Sequence, residues 1–110
     1  MQAELIDALA GTGPGPVFGR EVEDLDITLL AWPAGHQIAS HVNAEVDVVT
    51  VVLAGTGIAV VGGIEHHLSQ GSVLIIPKGI ERSIASGSDD FRYLNVHKRR
   101  KRLMPSLRRQ

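Results

Sequence analysis

GSVLIIPKGIERSIAS, running from Gly71 to Ser86, is the stretch whose reading decides the fold. An apolar run, Ser72 to Ile76, ends on Pro77-Lys78-Gly79, and a second short run, Ile80 to Ala85, starts at once. Glycine opens backbone conformations closed to other residues and proline fixes φ, so this reads as strand, turn, strand. Upstream, PAGHQIASHVNAEVDVVTVVLAG (Pro33 to Gly55) is built the same way. Glycines bracket short runs, of which Val46–Leu53, rich in β-branched residues, is the strongest strand. Gly55-Thr56-Gly57 reads as a tight hairpin turn into Ile58–Val61, and Gly62-Gly63 as another into Ile64–Leu68. Asp26–Trp32, Ile38–Asn43 and Phe91–His97 are further strands, and Val17–Val22 a weaker one. Eight or nine short strands at this spacing point to an all-β sandwich or barrel. Ahead of them, Ala3–Ala10 has the spacing of two helical turns, stopped by Gly11-Thr12-Gly13-Pro14-Gly15-Pro16.

The 110 residues make one domain with a modest core. With four aromatics and 44% hydrophobic residues, aliphatic side chains must fill it. The absence of cysteine excludes disulfides and thiolate metal sites. No apolar run reaches the ~20 residues of a membrane span and no signal-peptide pattern opens the chain, so a cytoplasmic protein without membrane contact is expected. Seven of the 11 Lys and Arg residues follow His97, which leaves four basic against 12 acidic residues in 1–97. A basic tail on an acidic body invites a nucleic-acid reading. The tail lacks aromatics for base stacking and the body would repel phosphate, so nucleic acid is not the expected partner. The boundaries read as an N-terminal arm over 1–16, a barrel over 17–97 and a basic tail over 98–110.

The two glycine-punctuated segments together resemble the two motifs of the cupin family, over about residues 25–97. In the first motif Gly35, His41 and Gly55 match, Asn43 stands at the second His position, and Asp47 meets the Glu position only with a one-residue shift. In the second motif Gly71, Pro77 and Gly79 match without a gap, while Arg82 stands at the His position and Ser86 at the Asn position. The resemblance implies an all-β double-stranded β-helix, a jelly-roll barrel with one open mouth, preceded by a short N-terminal helix or arm. It also implies a homodimer.

In metal-binding cupins the motif positions hold a divalent transition metal such as Mn, Fe, Ni or Zn. Here His41 and Asp47 are the candidate metal ligands, Asn43 is a poor one, and Arg82 has no lone pair to give. His97, on the last strand with Tyr93 and Asn95 in the same parity, is a replacement imidazole or a solvent-facing strand end. Arg82 reads best as a barrel-facing guanidinium paired with Asp47, or partly free for a carboxylate or phosphate. His36 is expected in solvent, and of His66-His67 one side chain points in and one out.

Two functional classes follow. One is a binding barrel for a small polar or anionic ligand, built from His41, Asn43, Asp47, Arg82 and His97, with or without metal. The alternative is a metal-dependent dioxygenase, isomerase or decarboxylase using His41 and Asp47. The sequence leaves open whether the chain is an enzyme.

Overall fold

The computed structural model describes residues 2–100. Nine strands follow one another: β1 (Gly15–Glu21), β2 (Leu25–Trp32), β3 (Gln37–Val42), β4 (Val48–Ala54), β5 (Gly57–Val61), β6 (Ile64–Leu68), β7 (Val73–Ile76), β8 (Glu81–Ser86) and β9 (Phe91–Lys98). They form two antiparallel sheets, a five-stranded one in the order β1-β2-β9-β4-β7 and a four-stranded one in the order β3-β8-β5-β6. Consecutive strands change sheets repeatedly, which is the jelly-roll arrangement expected from the sequence.

The glycines named in the two motifs all lie at turns. Gly35, Gly55, Gly71 and Gly79 have φ between +77° and +92°. Gly55 shows why this is obligatory. A Cβ there would come within 2.6 Å of Ser88 Oγ and 2.9 Å of Phe91 Cα. The turn it makes is nevertheless not the expected hairpin. β4 pairs with β7 and β9, and β5 with β6 and β8, so Gly55-Thr56 carries the chain across from one sheet to the other. Local turn chemistry cannot distinguish a hairpin from such a corner, because both need the same positive φ. Gly62-Gly63 does close a two-residue hairpin, with Val61 opposite Ile64 and both glycines at positive φ.

Of the two N-terminal readings, helix or arm, the structure takes the arm. Residues 2–14 form an arm with a single turn near Ala8-Leu9 and no helix. Leu9 N donates to Asp7 Oδ1 at 3.0 Å, an Asx turn that competes with helical bonding. Arg92, 2% exposed, seals the outcome. Its guanidinium donates to the carbonyls of Ala8, Ala10 and Gly11 at 3.1, 2.8 and 2.7 Å, and to Asp90 Oδ1 at 3.0 Å. Carbonyls committed to Arg92 hold this arm in its non-helical path. Arg20 and Glu4 add an exposed ion pair.

The core fills one end of the barrel. Val52, Ala59, Leu68, Phe91 and Tyr93 are buried together, and the Phe91 and Tyr93 rings meet edge to face at 5.2 Å. Leu30, Trp32, Ile38 and Ile84 pack on this cluster and also line the open space beyond it. The basic tail, 101–110, lies outside the described residues.

Candidate functional site

Strand alternation decides what enters the barrel. On β2, Leu30 and Trp32 face inward; opposite them on β9 stand Tyr93 and Phe91. Thr50 of β4 and Asn95 of β9 are register partners, and Thr50 Oγ1 donates to Asn95 Oδ1 at 2.6 Å. On β3 a bulge intervenes between Ile38 and His41: Ile38 pairs with Ile84 and His41 with Arg82. Three positions apart, Ile38 and His41 would face opposite sides of a regular strand. The extra residue turns both toward the interior.

These side chains enclose a cavity of about 300 Å³ between the sheets. Leu30, Trp32, Ile38, Ile76 and Ile84 supply apolar wall; His36, His41, Thr50, Arg82, Ser83, Tyr93 and Asn95 supply polar atoms. Among the described residues no Asp or Glu lines it. Trp32 Nε1 donates to Tyr93 Oη at 3.1 Å. His36, expected in solvent, instead stacks on Trp32 with ring centroids 4.0 Å apart and planes 3° from parallel. An apolar ring face at the cavity wall outweighs the pull of the loop toward water, and the sequence carried no periodic signal for it.

Arg82 is the centre of the site. It is 9% exposed, and its Nε donates to His41 Nε2 at 2.9 Å. Arginine offers only donors, so His41 Nε2 must accept. The hydrogen-bond network then assigns the His41 proton to Nδ1, which faces Ala39 O at 3.2 Å. Among the described residues no carboxylate pairs with Arg82, and its two Nη groups have no hydrogen-bond partner. Burial disfavours its charge and lowers its pKa, the Arg100 guanidinium lowers it further, and Tyr93 opposes both.

The expected Arg82–Asp47 pair is not formed. Asp47 is exposed just before β4, and its Oδ1 accepts from Lys78 N at 2.8 Å. It holds the Pro77-Lys78-Gly79 turn, because the one-residue shift that would have aligned it with the motif does not occur. Asn43 is buried in the loop after β3, where Oδ1 accepts from Glu45 N and Val46 N and the main-chain oxygen accepts from Gly79 N. Its Nδ2 is buried without a partner among the described residues. Asn43 does not line the cavity. His97 lies on the inward parity of β9 with Tyr93 and Asn95, opposite Val48 and Asp26, beyond the cavity lining. Its Nδ1 approaches Lys98 O at 2.7 Å and its Nε2 is 3.9 Å from Asp26 Oδ2.

Of the five candidate ligand-binding residues, then, the fold brings His41 and Arg82 together and places Asn43, Asp47 and His97 elsewhere. Among the described residues no group of three or more His, Asp or Glu side chains is placed to hold a metal ion. The donor set fits a metal poorly: the His41 imidazole spends its Nε2 lone pair on a guanidinium, whose charge opposes a cation. Asp47→Ala is expected to lower stability by ~0.5–1.5 kcal/mol, the value of one such hydrogen bond, while leaving ligand affinity unchanged. Urea unfolding beside a titration separates the two effects.

Tyr93 makes a second measurable statement. Burial raises its pKa, against weaker opposing effects of the Trp32 hydrogen bond and the Arg82 charge. A raised phenol pKa means the folded state resists ionisation. Its stability contribution is complete below the ordinary value of about 10 and is lost as pH rises through the folded value. Tyr93 is the only tyrosine, so phenolate absorbance follows it directly. The phenolate should appear above the usual range, and the matching loss of stability at alkaline pH should vanish in Tyr93→Phe.

Comparison with known proteins agrees with this fold. Among solved structures, a protein with a double-stranded β-helix domain from Klebsiella pneumoniae superposes with a TM-score of 0.75 at 21% identity, over 88% of this chain and 90% of that one. KdgF from Halomonas sp. gives 0.71 at 17% identity, over 78% and 76%. A cupin protein from Bacteroides fragilis gives 0.66 at 21% identity, over 76% and 72%. At these identities the likeness concerns the fold alone. No curated protein sequence matches the chain significantly. The sequence profile of the AraC-like ligand-binding domain does match, across residues 24–110. The cupin barrel holds a part-apolar cavity beside its core, and this chain belongs to the AraC-like ligand-binding domain family.

Proposed function

We propose that the barrel binds a small anion, a carboxylate or phosphate attached to a compact apolar body, through Arg82. The carrying observation is the unpaired guanidinium. A buried charge without a counter-ion is costly, and proteins pair it or bring it a ligand. Among the described residues, Arg82 lines the cavity with both Nη groups unbonded and with no acid on the wall. Two parallel N–H···O bonds to a carboxylate or phosphate would satisfy it. His41 holds the guanidinium from behind, Tyr93 and the Thr50–Asn95 pair offer further polar atoms, and Trp32, Leu30 and Ile84 face the ligand's apolar part. The volume is at the small end of ligand pockets, enough for a metabolite-sized molecule.

The work of these residues is binding and orientation. The test is a thermal-shift screen of small aliphatic and aromatic carboxylates and their phosphate analogues, followed by calorimetry. A ligand at about 100 times its Kd adds ~2.7 kcal/mol, of order 10 °C in Tm for a domain of this size. Stabilisation by anions that neutral amide analogues do not produce supports the reading. Equal stabilisation by the neutral analogues, or an unchanged effect in Arg82→Gln, sinks it.

A further inference from the structure

The polar side chains on the cavity wall spend their acceptors on one another and leave hydrogens over. Trp32 Nε1 stands 3.1 Å from Tyr93 Oη, and an indole N–H can only donate, so Tyr93 Oη accepts. The phenol's own hydrogen is turned away from the indole, and among the described residues no acceptor takes it. His41 Nε2 is engaged in the same way by Arg82 Nε, while the two Nη groups keep their hydrogens. Asn95 Oδ1 receives the Thr50 hydroxyl at 2.6 Å. That length belongs to an O–H···O bond and is short for an amide N–H···O bond, which turns the amide so that Nδ2 points away from Thr50. Among the described residues Nδ2 also has no acceptor. Ser83 and His36, on the same wall, can each give or accept, and the imbalance stands.

Tyr93 is the sharpest case. It is almost wholly buried, and burial raises its pKa, so the phenol keeps its hydrogen across the neutral range. Asn95, two residues on along β9, shares its inward face. An anion at Arg82 satisfies the guanidinium and leaves these two donors still to be met. A carbonyl oxygen meets them with lone pairs and no hydrogen of its own. A ligand hydroxyl also accepts, but it brings a hydrogen to a wall where His41 Nε2 and Asn95 Oδ1 are already engaged. An ammonium group has no lone pair to offer and adds its charge to that of Arg82.

We infer that the anion held by Arg82 carries a carbonyl-type oxygen on its apolar body, and that Tyr93 selects for that oxygen by donating its O–H. The inference rests on the anion reading of Arg82 and narrows it to oxo-substituted carboxylates and phosphates. Tyr93 becomes a specificity-determining residue, Asn95 Nδ2 a second donor on the same strand, and Trp32 the group that sets the polarity of the phenol.

Calorimetry with matched acids tests this: levulinate against pentanoate, delta-oxohexanoate against hexanoate, and para-acetylbenzoate against para-ethylbenzoate. In at least one pair the oxo acid should bind about tenfold tighter, the worth of one hydrogen bond to a donor that is otherwise left without a partner. In Tyr93→Phe the two members of that pair should bind within about twofold of each other. Equal affinities in every pair, or a preference that survives Tyr93→Phe, would overturn the inference and leave Arg82-dependent anion binding standing. Acids that bind no better than their neutral amides would overturn the reading of Arg82 itself. Should Tyr93→Phe misfold, the wild-type protein decides, because Tyr93 is the only tyrosine and its phenolate absorbance is read directly. An acceptor on the O–H stabilises the neutral phenol, so the saturating oxo acid should move the phenolate midpoint to higher pH than its unsubstituted partner does. Identical midpoints would overturn the inference.

Discussion

Replacing Arg92 by methionine lowers the unfolding free energy by about 3 kcal/mol and releases the arm to proteases. The magnitude follows from what Arg92 touches. Three arm carbonyls and Asp90 accept from one guanidinium that is almost wholly buried. Hydrogen bonds involving a charged group contribute roughly 1.5–3 kcal/mol each when removed one at a time. The sum is an overestimate, because a detached arm hands its carbonyls to water instead of leaving them buried. The cap on the loss is therefore the docking energy of the arm itself. That energy includes the cover over Leu29, ~1.5–3 kcal/mol if fully exposed, and over the Ala31 methyl, ~0.8 kcal/mol. Urea unfolding with an unchanged barrel signal, together with cleavage among residues 2–14, measures both consequences. Loss below about 1 kcal/mol, with the arm still protected, would mean that packing and not Arg92 holds it. Binding in the barrel should survive, because Arg92 does not line the cavity.

What the sequence made legible was backbone. Gly35, Gly55, Gly71, Gly79 and Pro77 mark turns by stereochemistry, a property each residue carries by itself, and the strands between them followed. What it hid depended on partners distant in sequence. Gly55 looked like a hairpin because positive φ says nothing about which sheet comes next. Ala3–Ala10 has helical spacing, but a guanidinium 82 to 84 residues away takes its carbonyls. At the site, His41 and Arg82 were readable as motif positions, and a single bulge in β3 sets them side by side. Asp47 was drawn to Arg82 by charge alone. Its actual partner is a backbone amide of a turn, which no side-chain pattern announces. Trp32 and His36 formed a cavity wall through a stack whose members sit four residues apart across a bend.

Arg82→Met should separate stability from binding in opposite directions. In most cores a buried arginine has a carboxylate, and removing it strands that partner. Arg82 has none among the described residues. Its removal relieves the desolvation that lowers its own pKa and the repulsion from Arg100, and methionine refills much of the volume with apolar atoms. The opposing loss is one hydrogen bond, that to His41 Nε2, about 1 kcal/mol. Replacement of buried charged groups by apolar ones of similar size is often neutral or stabilising by ~1–4 kcal/mol. The ligand-free variant should accordingly be as stable as wild type or up to about 2 kcal/mol more so, a gain of several degrees in Tm. Anion affinity should fall at least 100-fold, equivalent to ~2.7 kcal/mol, the loss expected for a bidentate charged contact. A destabilised Arg82→Met protein would show that the guanidinium already has a structural counter-ion, in which case the cavity would not need an anion to complete it. A stabilised protein that no longer responds to carboxylates or phosphates would identify Arg82 as a residue kept at a cost to folding for the sake of what the barrel holds.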